Sequence, residues 1–402
     1  MKKFTVFMLI FCLLYSLSGC NIISRPDNDN NTKPSDFPND PSTEPSSSPA
    51  VGEPVYQPPM VAVSVPVTTV PTQAQDGTVV FNHTYQDMQL ILPDADVIQK
   101  VTEDFSNRIY SANRTAADIK AAALAAYKGG GSWNPYLCLT AFDPIRIDQG
   151  VLSLFGSHAE YSGTMHPETD YISVSYDLVT GKALELNDIL ADSSANDTIY
   201  QHVIASLEKQ AAEKTLKRNY KDLVKTYFGD NMAKNEDWYF SQSGLCFFFQ
   251  PYEIAPYASG VITAEVPYSV LAGILQDAYF PAEQDVTSGT MNATVFSSAD
   301  HNKFTKFAEL ILEENGDNVL LHSNAGVQNV RIETGEWSAS GAYYTAQHTI
   351  FASSSLTSTD AILIEAALES ALPRLRVSYQ TNGETVSYYI AKGTNGQIQL
   401  IP

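Results

Sequence analysis

Two histidines and two glutamates, His158, Glu160, His166 and Glu168, lie close together between two strand-like segments. Imidazole and carboxylate groups can ligate a divalent metal or serve as a general base when a fold brings them together. The segment around His166 has no recognised ligand spacing, however, and Pro167 indicates a turn. We therefore predict no metal ion, no cofactor and no catalytic residue here, with a metal or base site as the alternative.

Four carboxylates, Asp177, Glu185, Asp188 and Glu253, raise the possibility of sugar chemistry. Glycoside hydrolysis needs a pair of carboxylates at a defined spatial separation, which a sequence does not reveal. Asp188 fits a first-turn acid of a short helix and Asp177 a turn former. An enzyme that modifies cell-wall polysaccharide with these carboxylates is therefore the alternative function.

The segment Pro251–Tyr257 is the sharpest binding candidate. Its two prolines stiffen the chain, while Tyr252 and Tyr257 offer flat amphipathic rings that can stack on a sugar or fill a partner's cleft. Glu253 adds a negative hydrogen-bond acceptor. The alternative is that both tyrosines pack under the sheet with their hydroxyls satisfied.

The N-terminus has the features of a lipoprotein signal peptide over residues 1–20. Lys2 and Lys3 precede an apolar run from Phe4 to Leu17, and small residues lead to Cys20. We expect cleavage before Cys20, its lipidation and an extracytoplasmic protein anchored to the cell membrane. Residues 21–75, rich in Pro and Ser, are predicted to form a disordered tether, although 61–70 is more apolar.

The net charge of the chain restricts the classes of partner that we expect. The formal net charge of −21 disfavours nucleic acid and is compatible with cationic proteins, although it also fits a solvated surface.

Beyond the targeting segment, the only cysteines of the sequence are Cys138 and Cys246. Free buried thiols are favoured over a disulfide, but the sequence does not settle whether they pair.

The elements that position these residues predict an α+β fold, an antiparallel sheet packed with helices over residues 76–282. Tyr171–Leu178 alternates as a strand, and Thr180-Gly181 makes a turn before a returning strand at 182–186. Asn187 is predicted to cap a short helix. A helix with Val97, Val101, Phe105 and Ile109 on one face, an Ala-rich helix at 115–128 and a long helix at 196–228 are expected to cover the sheet.

Residues 290–402 predict a smaller β-rich C-terminal domain with its own core. Asn382-Gly383 indicates a hairpin turn between 374–380 and 384–391. The stretch 359–371 fits a helix or a strand.

The run Tyr176-Asp-Leu-Val-Thr-Gly-Lys-Ala-Leu-Glu-Leu-Asn-Asp-Ile-Leu190 resembles the extracytoplasmic domain pair shared by RsiV-type anti-sigma factors and PdaC-type peptidoglycan deacetylases, the domain-of-unknown-function families 4163 and 3298. Trp238–Ser241, Gly244–Tyr257 and Gly260–Leu271 are similar to the second half of that signature. The resemblance covers roughly Thr78 to Phe280. It implies a module that binds peptidoglycan or a basic protein such as lysozyme; a purely architectural spacer is a third hypothesis.

Overall fold

The computed structural model describes residues 60–191, 195–211, 215–230, 237–282, 287–313, 315–338, 340–341, 343–366, 368 and 372–402. From Met60 onward, these residues belong to one compact unit. The helices are α1 Ala95–Ala112, α2 Ala116–Ala126, α3 Leu186–Ile189, α4 Ala195–Gln210 and α5 Tyr220–Asp230. The N-terminal and central strands are β1 Ala62–Ser64, β2 Val67–Gln73, β3 Val79–Gln86, β4 Gln89–Ile91, β5 Tyr136–Ile147, β6 Val151–Tyr161, β7 Glu168–Asp177, β8 Trp238–Phe240, β9 Gly244–Phe249 and β10 Ile262–Pro267.

The C-terminal strands are β11 Met291–Val295, β12 Lys306–Ile311, β13 Asp317–Ser323, β14 Val327–Trp337, β15 Tyr344–Leu356, β16 Asp360–Ala366, β17 Leu375–Thr381, β18 Glu384–Lys392 and β19 Ile398–Ile401. In the described part of the chain the strands form four sheets, ordered β2-β3-β5-β6-β7, β10-β9-β8, β11-β13-β16-β12 and β19-β18-β17-β14-β15-β1-β4. Most pairs are antiparallel; β3 with β5 and β12 with β16 are parallel. The predicted α+β class with a β-rich C-terminal part is confirmed.

Helix α1 forms where its apolar spacing predicts it. Its N-cap Asp94 accepts hydrogen bonds from the backbone N–H groups of Asp96 and Val97, and the predicted stripe Val97, Val101, Phe105 and Ile109 is buried. These side chains pack on β5, β6 and β7 of the five-stranded sheet. No helix within the described ranges combines the length and apolar character that a membrane crossing requires.

The signature region folds partly as predicted. Strand β7 ends at Asp177, and Gly181, with φ of +77°, supports the turn. The returning segment makes only an isolated bridge between Tyr176 and Ala183, so the strand predicted at 182–186 is wrong. Glu185, not Asn187, is the N-cap of α3, because its side chain and that of Asp188 form a reciprocal capping box.

The long helix predicted over 196–228 is instead two helices, α4 and α5. Its apolar positions lie on two different faces, and a single straight helix cannot turn both faces toward one core. In two helices, Ile199, Val203 and Leu207 of α4 and Val224 of α5 join the same apolar cluster above strands β8, β9 and β10. Residues 212–214, within the span of the predicted long helix, lie outside the described residues.

Strand β1 lies inside the stretch predicted to be a tether, so the tether prediction is wrong for its last residues. It pairs with β15 on one side and β4 on the other. Met60 and Ala62 pack in the C-terminal core, whereas Val61 and Val63 pack with α1, so one extended segment serves two cores. Proline is tolerated at strand ends and on edge strands, and the two prolines nearby obey this rule: Pro66 follows the end of β1, and Pro71 lies on the edge strand β2.

The C-terminal strands enclose an apolar cluster to which β1 also contributes. The predicted hairpin is present as β17 and β18, with Asn382 at φ of +52° and Gly383 at +78°, the conformation of a type I′ turn. Of the two alternatives for 359–371, the strand is found, as β16. The domain boundaries proposed at 76–282 and 290–402 stay predictions.

Arg146 is buried between the five-stranded and three-stranded sheets. It follows a β-bulge at Pro144 that shifts the register of β5 against β6. Its Nε donates to Asp148 Oδ2 at 2.6 Å, and its Nη1 donates to Tyr268 Oη at 2.6 Å and to the Tyr279 carbonyl at 2.7 Å. The guanidinium also lies over the Phe240 ring, 5.2 Å from its centroid. One side chain of β5 thus joins the sheet to the region after β10.

The buried position of β1 predicts that Val63→Asp, which places an unpaired charge at a site with no solvent exposure, will lower the free energy of unfolding by several kcal/mol (about 3–5). Val70→Asp is the matched control, because Val70 is 47% exposed on β2, and we expect a change within about 0.5 kcal/mol. Urea denaturation of the purified variants measures both. Equal effects would contradict a structural role for β1.

The Arg146 contacts predict that Arg146→Ala will destabilise the protein by about 3–5 kcal/mol, because Asp148 loses its buried partner. Lys221→Ala removes the ion pair between Lys221 and Glu208, both about half exposed, and should cost at most about 1 kcal/mol. Thermal unfolding of the two variants provides the comparison. Similar shifts in melting temperature would show that the Arg146 network does not hold the sheets together.

Candidate functional site

Two loops from different sheets meet, and one of them contains the segment predicted to bind a ligand, Pro251–Tyr257. One joins β6 to β7 and contains His166 and Pro167; the other joins β9 to β10 and contains Tyr252 and Tyr257. Gln250 fastens them together: its Oε1 accepts the N–H of Tyr171 at 2.8 Å, and its Nε2 donates to the Tyr171 carbonyl at 2.8 Å. The side-chain amide thereby replaces a missing strand partner for β7.

Three rings form a continuous aromatic patch, defined here as His166, Tyr252 and Tyr257. The imidazole stacks on Tyr257 with ring centroids 4.3 Å apart and an interplanar angle of 25°, and the Tyr252 ring lies 5.4 Å from that of Tyr257. The Tyr257 hydroxyl donates to the Pro167 carbonyl at 3.1 Å. Tyr252 is 58% exposed, so the alternative in which both tyrosines pack under the sheet is not what the fold adopts.

Tyr252 has a left-handed backbone, with φ of +73°. Its carbonyl oxygen accepts a hydrogen bond from Lys217 Nζ at 2.6 Å, and the Lys217 N–H donates to the Ile254 carbonyl at 2.8 Å. The chain entering α5 thus holds the loop in place. Ile254 and Ala255 anchor it from below, because both are buried in the cluster that α4 and α5 cover.

Glu253 lies beside the patch but serves its own loop. Its Oε2 accepts the N–H of Gln250 at 2.7 Å, and the side chain is half-buried. Burial raises the pKa of Glu253 above its ordinary value, with a further contribution from Asp237. This carboxylate stabilises the turn that presents Tyr252. Its role as a hydrogen-bond acceptor for a ligand stays a prediction.

His158 and Glu160 take part in a second cluster, on strands β5 and β6. Register pairs Cys138 with Glu160 and Thr140 with His158. His158 Nε2 lies 3.1 Å from Glu160 Oε1, and ligand atoms of Cys138, His158 and Glu160 all lie within 4.8 Å of one another. The sequence reasoning grouped His158 with His166 and missed Cys138, because the contact depends on strand pairing. The alternation of side chains along both strand-like segments was the one sequence signal that could have indicated this contact.

Both cysteines of the described chain, Cys138 and Cys246, are free and buried. Burial, with Glu160 nearby, raises the pKa of Cys138 to about 11, and burial beside Glu265 raises that of Cys246 to about 12. Cys20, the predicted site of lipid attachment, lies outside the described residues.

The signature carboxylates make local contacts. Asp177 Oδ1 accepts the N–H groups of Val179 and Thr180, at 2.8 and 2.9 Å, within the turn after β7. Asp188 pairs with Lys182 at 2.7 Å and caps Glu185, and its pKa is lowered chiefly by the hydrogen bond from Lys182. These contacts fit the roles predicted for the two residues, Asp177 as a turn former and Asp188 as a first-turn acid of the short helix.

Comparison with known proteins identifies one domain. Among solved structures, the chain is similar to a member of the DUF3298 family from Bacteroides fragilis, at 16% identity and a TM-score of 0.39, over 54% of this chain and 94% of that one. It is also similar to a DUF3298 family protein from Pseudomonas aeruginosa, at 16% identity and a TM-score of 0.37, over 56% and 99%.

No curated protein matches the sequence significantly. The resemblance of the part before residue 187 to the companion family, 4163, stays a prediction. Residues 187–269, which contain Tyr252, Glu253 and Tyr257, match the family model described as a protein of unknown function, DUF3298, so the chain contains a DUF3298 domain.

Proposed function

We propose that this protein is an extracytoplasmic lipoprotein that captures a basic envelope protein of the lysozyme type through the aromatic patch. The observation that carries the proposal is the exposed Tyr252 ring at the outer end of three neighbouring rings. Stacked aromatic side chains bring large contact area at little entropic cost, which is why they are enriched among residues that dominate binding energy.

The backbone of Tyr252 supports a binding role. A residue with a side chain at φ of +73° is strained, and Gly or Asn would adopt the same conformation at lower cost. Strain of this kind persists where the surrounding structure imposes it, and it is concentrated at functional sites. A bulky aromatic at such a position is best explained by what its ring contacts outside the protein.

Charge favours a basic partner. Glu168 and Asp170 are exposed on the segment that follows His166, and the whole chain has a formal net charge of −21. Complementary charge accelerates encounter with a cationic protein, whereas a neutral glycan would gain nothing from it. The resemblance to RsiV-type anti-sigma factors, whose members bind lysozyme, supports the same partner. Peptidoglycan itself is the alternative ligand, because tyrosine rings also stack on sugars.

Anchoring through Cys20 is part of the proposal. The Lys2-Lys3 start, the apolar run to Leu17 and the small residues before Cys20 support cleavage and acylation. Roughly 40 residues then separate the lipid from Met60, enough to span on the order of 130 Å if extended. Radiolabelled palmitate should be incorporated by the natural protein and lost on Cys20→Ala.

The aromatic patch predicts that the purified protein will bind hen-type lysozyme at low ionic strength, and that Tyr252→Ala and Tyr257→Ala will each weaken binding at least about tenfold. Biolayer interferometry at about 0.05 M and about 0.5 M salt should show weaker binding at the higher ionic strength. Tyr343→Ala is the matched control, because Tyr343 is 75% exposed elsewhere on the surface and should leave affinity unchanged.

Wild-type protein that does not retain lysozyme at low salt would overturn the proposal. Retention on purified peptidoglycan that is insensitive to salt but lost on Tyr252→Ala would select the glycan ligand. Release of reducing ends or acetate from peptidoglycan would select the enzymatic alternative.

Strain at Tyr252 makes a separate prediction about stability. Tyr252→Gly and Tyr252→Ala both remove the ring, but only Gly adopts the left-handed conformation freely, so Tyr252→Gly should be more stable than Tyr252→Ala by about 1 kcal/mol. Chemical denaturation of the pair measures the difference, and both variants should lose lysozyme binding. A Gly variant that is less stable than the Ala variant would show that the loop is not strained.

A further inference from the structure

We propose that Cys138, His158 and Glu160 form a binding site for a divalent transition-metal ion of the zinc type, separate from the aromatic patch. The three side chains offer one sulfur, one nitrogen and one oxygen ligand, a set that suits borderline ions such as Zn²⁺. Thiolate and carboxylate together neutralise a dication, so the complex carries no net charge.

Geometry brings the ligands close to the required separation. Tetrahedral zinc with bonds of about 2.0–2.3 Å places its donor atoms roughly 3.3–3.6 Å apart. In the structure His158 Nε2 and Glu160 Oε1 are 3.1 Å apart, and the whole set lies within 4.8 Å. Because two paired strands supply all three residues, small rotations of the side chains suffice to close the site.

Hydrogen bonds orient His158 for ligation. Asn113 Nδ2 donates to the Ile109 carbonyl at 2.9 Å, which leaves Asn113 Oδ1 as an acceptor for the Thr140 hydroxyl at 3.1 Å. The Thr140 oxygen must then accept from His158 Nδ1, at 2.9 Å. The lone pair of the other ring nitrogen, Nε2, is then directed toward Glu160 Oε1, 3.1 Å away, so a cation between them would contact both atoms.

The remaining ligands are supported in the same way. The Thr115 hydroxyl donates to Glu160 Oε1, and Cys138 Sγ lies 3.3 Å from Asn113 Oδ1. Outer contacts of this kind fix ligand orientation in protein metal sites. On binding, the Cys138 S–H bond breaks, its proton passes to solvent and a sulfur–metal bond forms; Asn113 Oδ1 or water completes the coordination.

A second observation comes from the neighbouring strand. His83 lies directly opposite Cys138 in the register of β3 and β5, and its buried Nε2 has no hydrogen-bond partner within the described ranges. A cavity of about 630 Å³ is lined by His83 and Asn113 among others, so an open path reaches the residues that border the cluster. The unpaired imidazole nitrogen of His83 thus lies on the strand next to Cys138, although His83 is not among the three residues whose ligand atoms lie within 4.8 Å.

The test uses the purified full-length protein after treatment with a chelator. We expect one equivalent of Zn²⁺ to bind in competition with a chromophoric chelator, and Co²⁺ to give the ultraviolet absorption of a thiolate–metal bond. Cys138→Ser should abolish that absorption. His158→Gln and Glu160→Gln should weaken Zn²⁺ binding at least about tenfold, since loss of outer contacts alone has effects of that size.

Cys246→Ser is the matched control. Cys246 is also buried, and its Sγ lies 3.6 Å from Glu265 Oε2, but it belongs to no group of potential metal ligands among the described residues. Its substitution should leave binding unchanged. If Cys138→Ser fails to fold by circular dichroism, the partly exposed Glu160→Gln decides. Wild-type protein that takes up no metal, cobalt binding without the thiolate absorption, or equal losses in Cys246→Ser and Glu160→Gln would each overturn the proposal.

Discussion

A buried guanidinium is expensive unless its charge and its donors are satisfied, and the central part of this structure is arranged around that requirement at Arg146. Asp148 balances the charge, and Tyr268 and the Tyr279 carbonyl accept from Nη1, whereas the buried Nη2 has no hydrogen-bond partner among the described residues. Two of these partners, Tyr268 and Tyr279, follow β10 in the sequence. The cost of burying Arg146 is therefore offset only when the three-stranded sheet is docked on the five-stranded one, which makes the side chain a determinant of how the two pack.

The bulge that turns Arg146 inward has a second consequence. Breaking the β5–β6 register at Pro144 leaves backbone carbonyls without ladder partners, and Arg331 from β14 donates to the carbonyls of Pro144 and Ile145. Asp143, just before the bulge, accepts the N–H of Thr349 on β15 at 2.9 Å. Residues at and beside the bulge in β5 thus contact strands β14 and β15 of the seven-stranded sheet. Strand β1 also connects the two regions, because its side chains pack alternately in the C-terminal core and against α1.

These constraints bear differently on the two proposed sites. The aromatic patch is built from loops of two sheets, with His166 on one and Tyr252 and Tyr257 on the other, so its geometry depends on the junction that Arg146 and Gln250 maintain. The cluster of Cys138, His158 and Glu160 lies within a single sheet and depends on the β5–β6 register. The two proposed sites therefore rest on different parts of the fold.

Local patterns in the sequence determined the elements whose physics is local. The stripe from Val97 to Ile109 specified α1 because a helix buries positions three and four apart, and Asn382-Gly383 specified a hairpin because both residues tolerate positive φ. Tyr252 and Tyr257 could be singled out as binding candidates because ring type and proline spacing are visible in the sequence, and their role stays a prediction. Tertiary structure decided the rest. Strand β1 is ordered by partners far along the sequence, and α4 and α5 separate because one core must receive two apolar faces. His166 stacks on Tyr257, and Cys138 joins His158 and Glu160, only through pairings between distant segments, which no local pattern encodes.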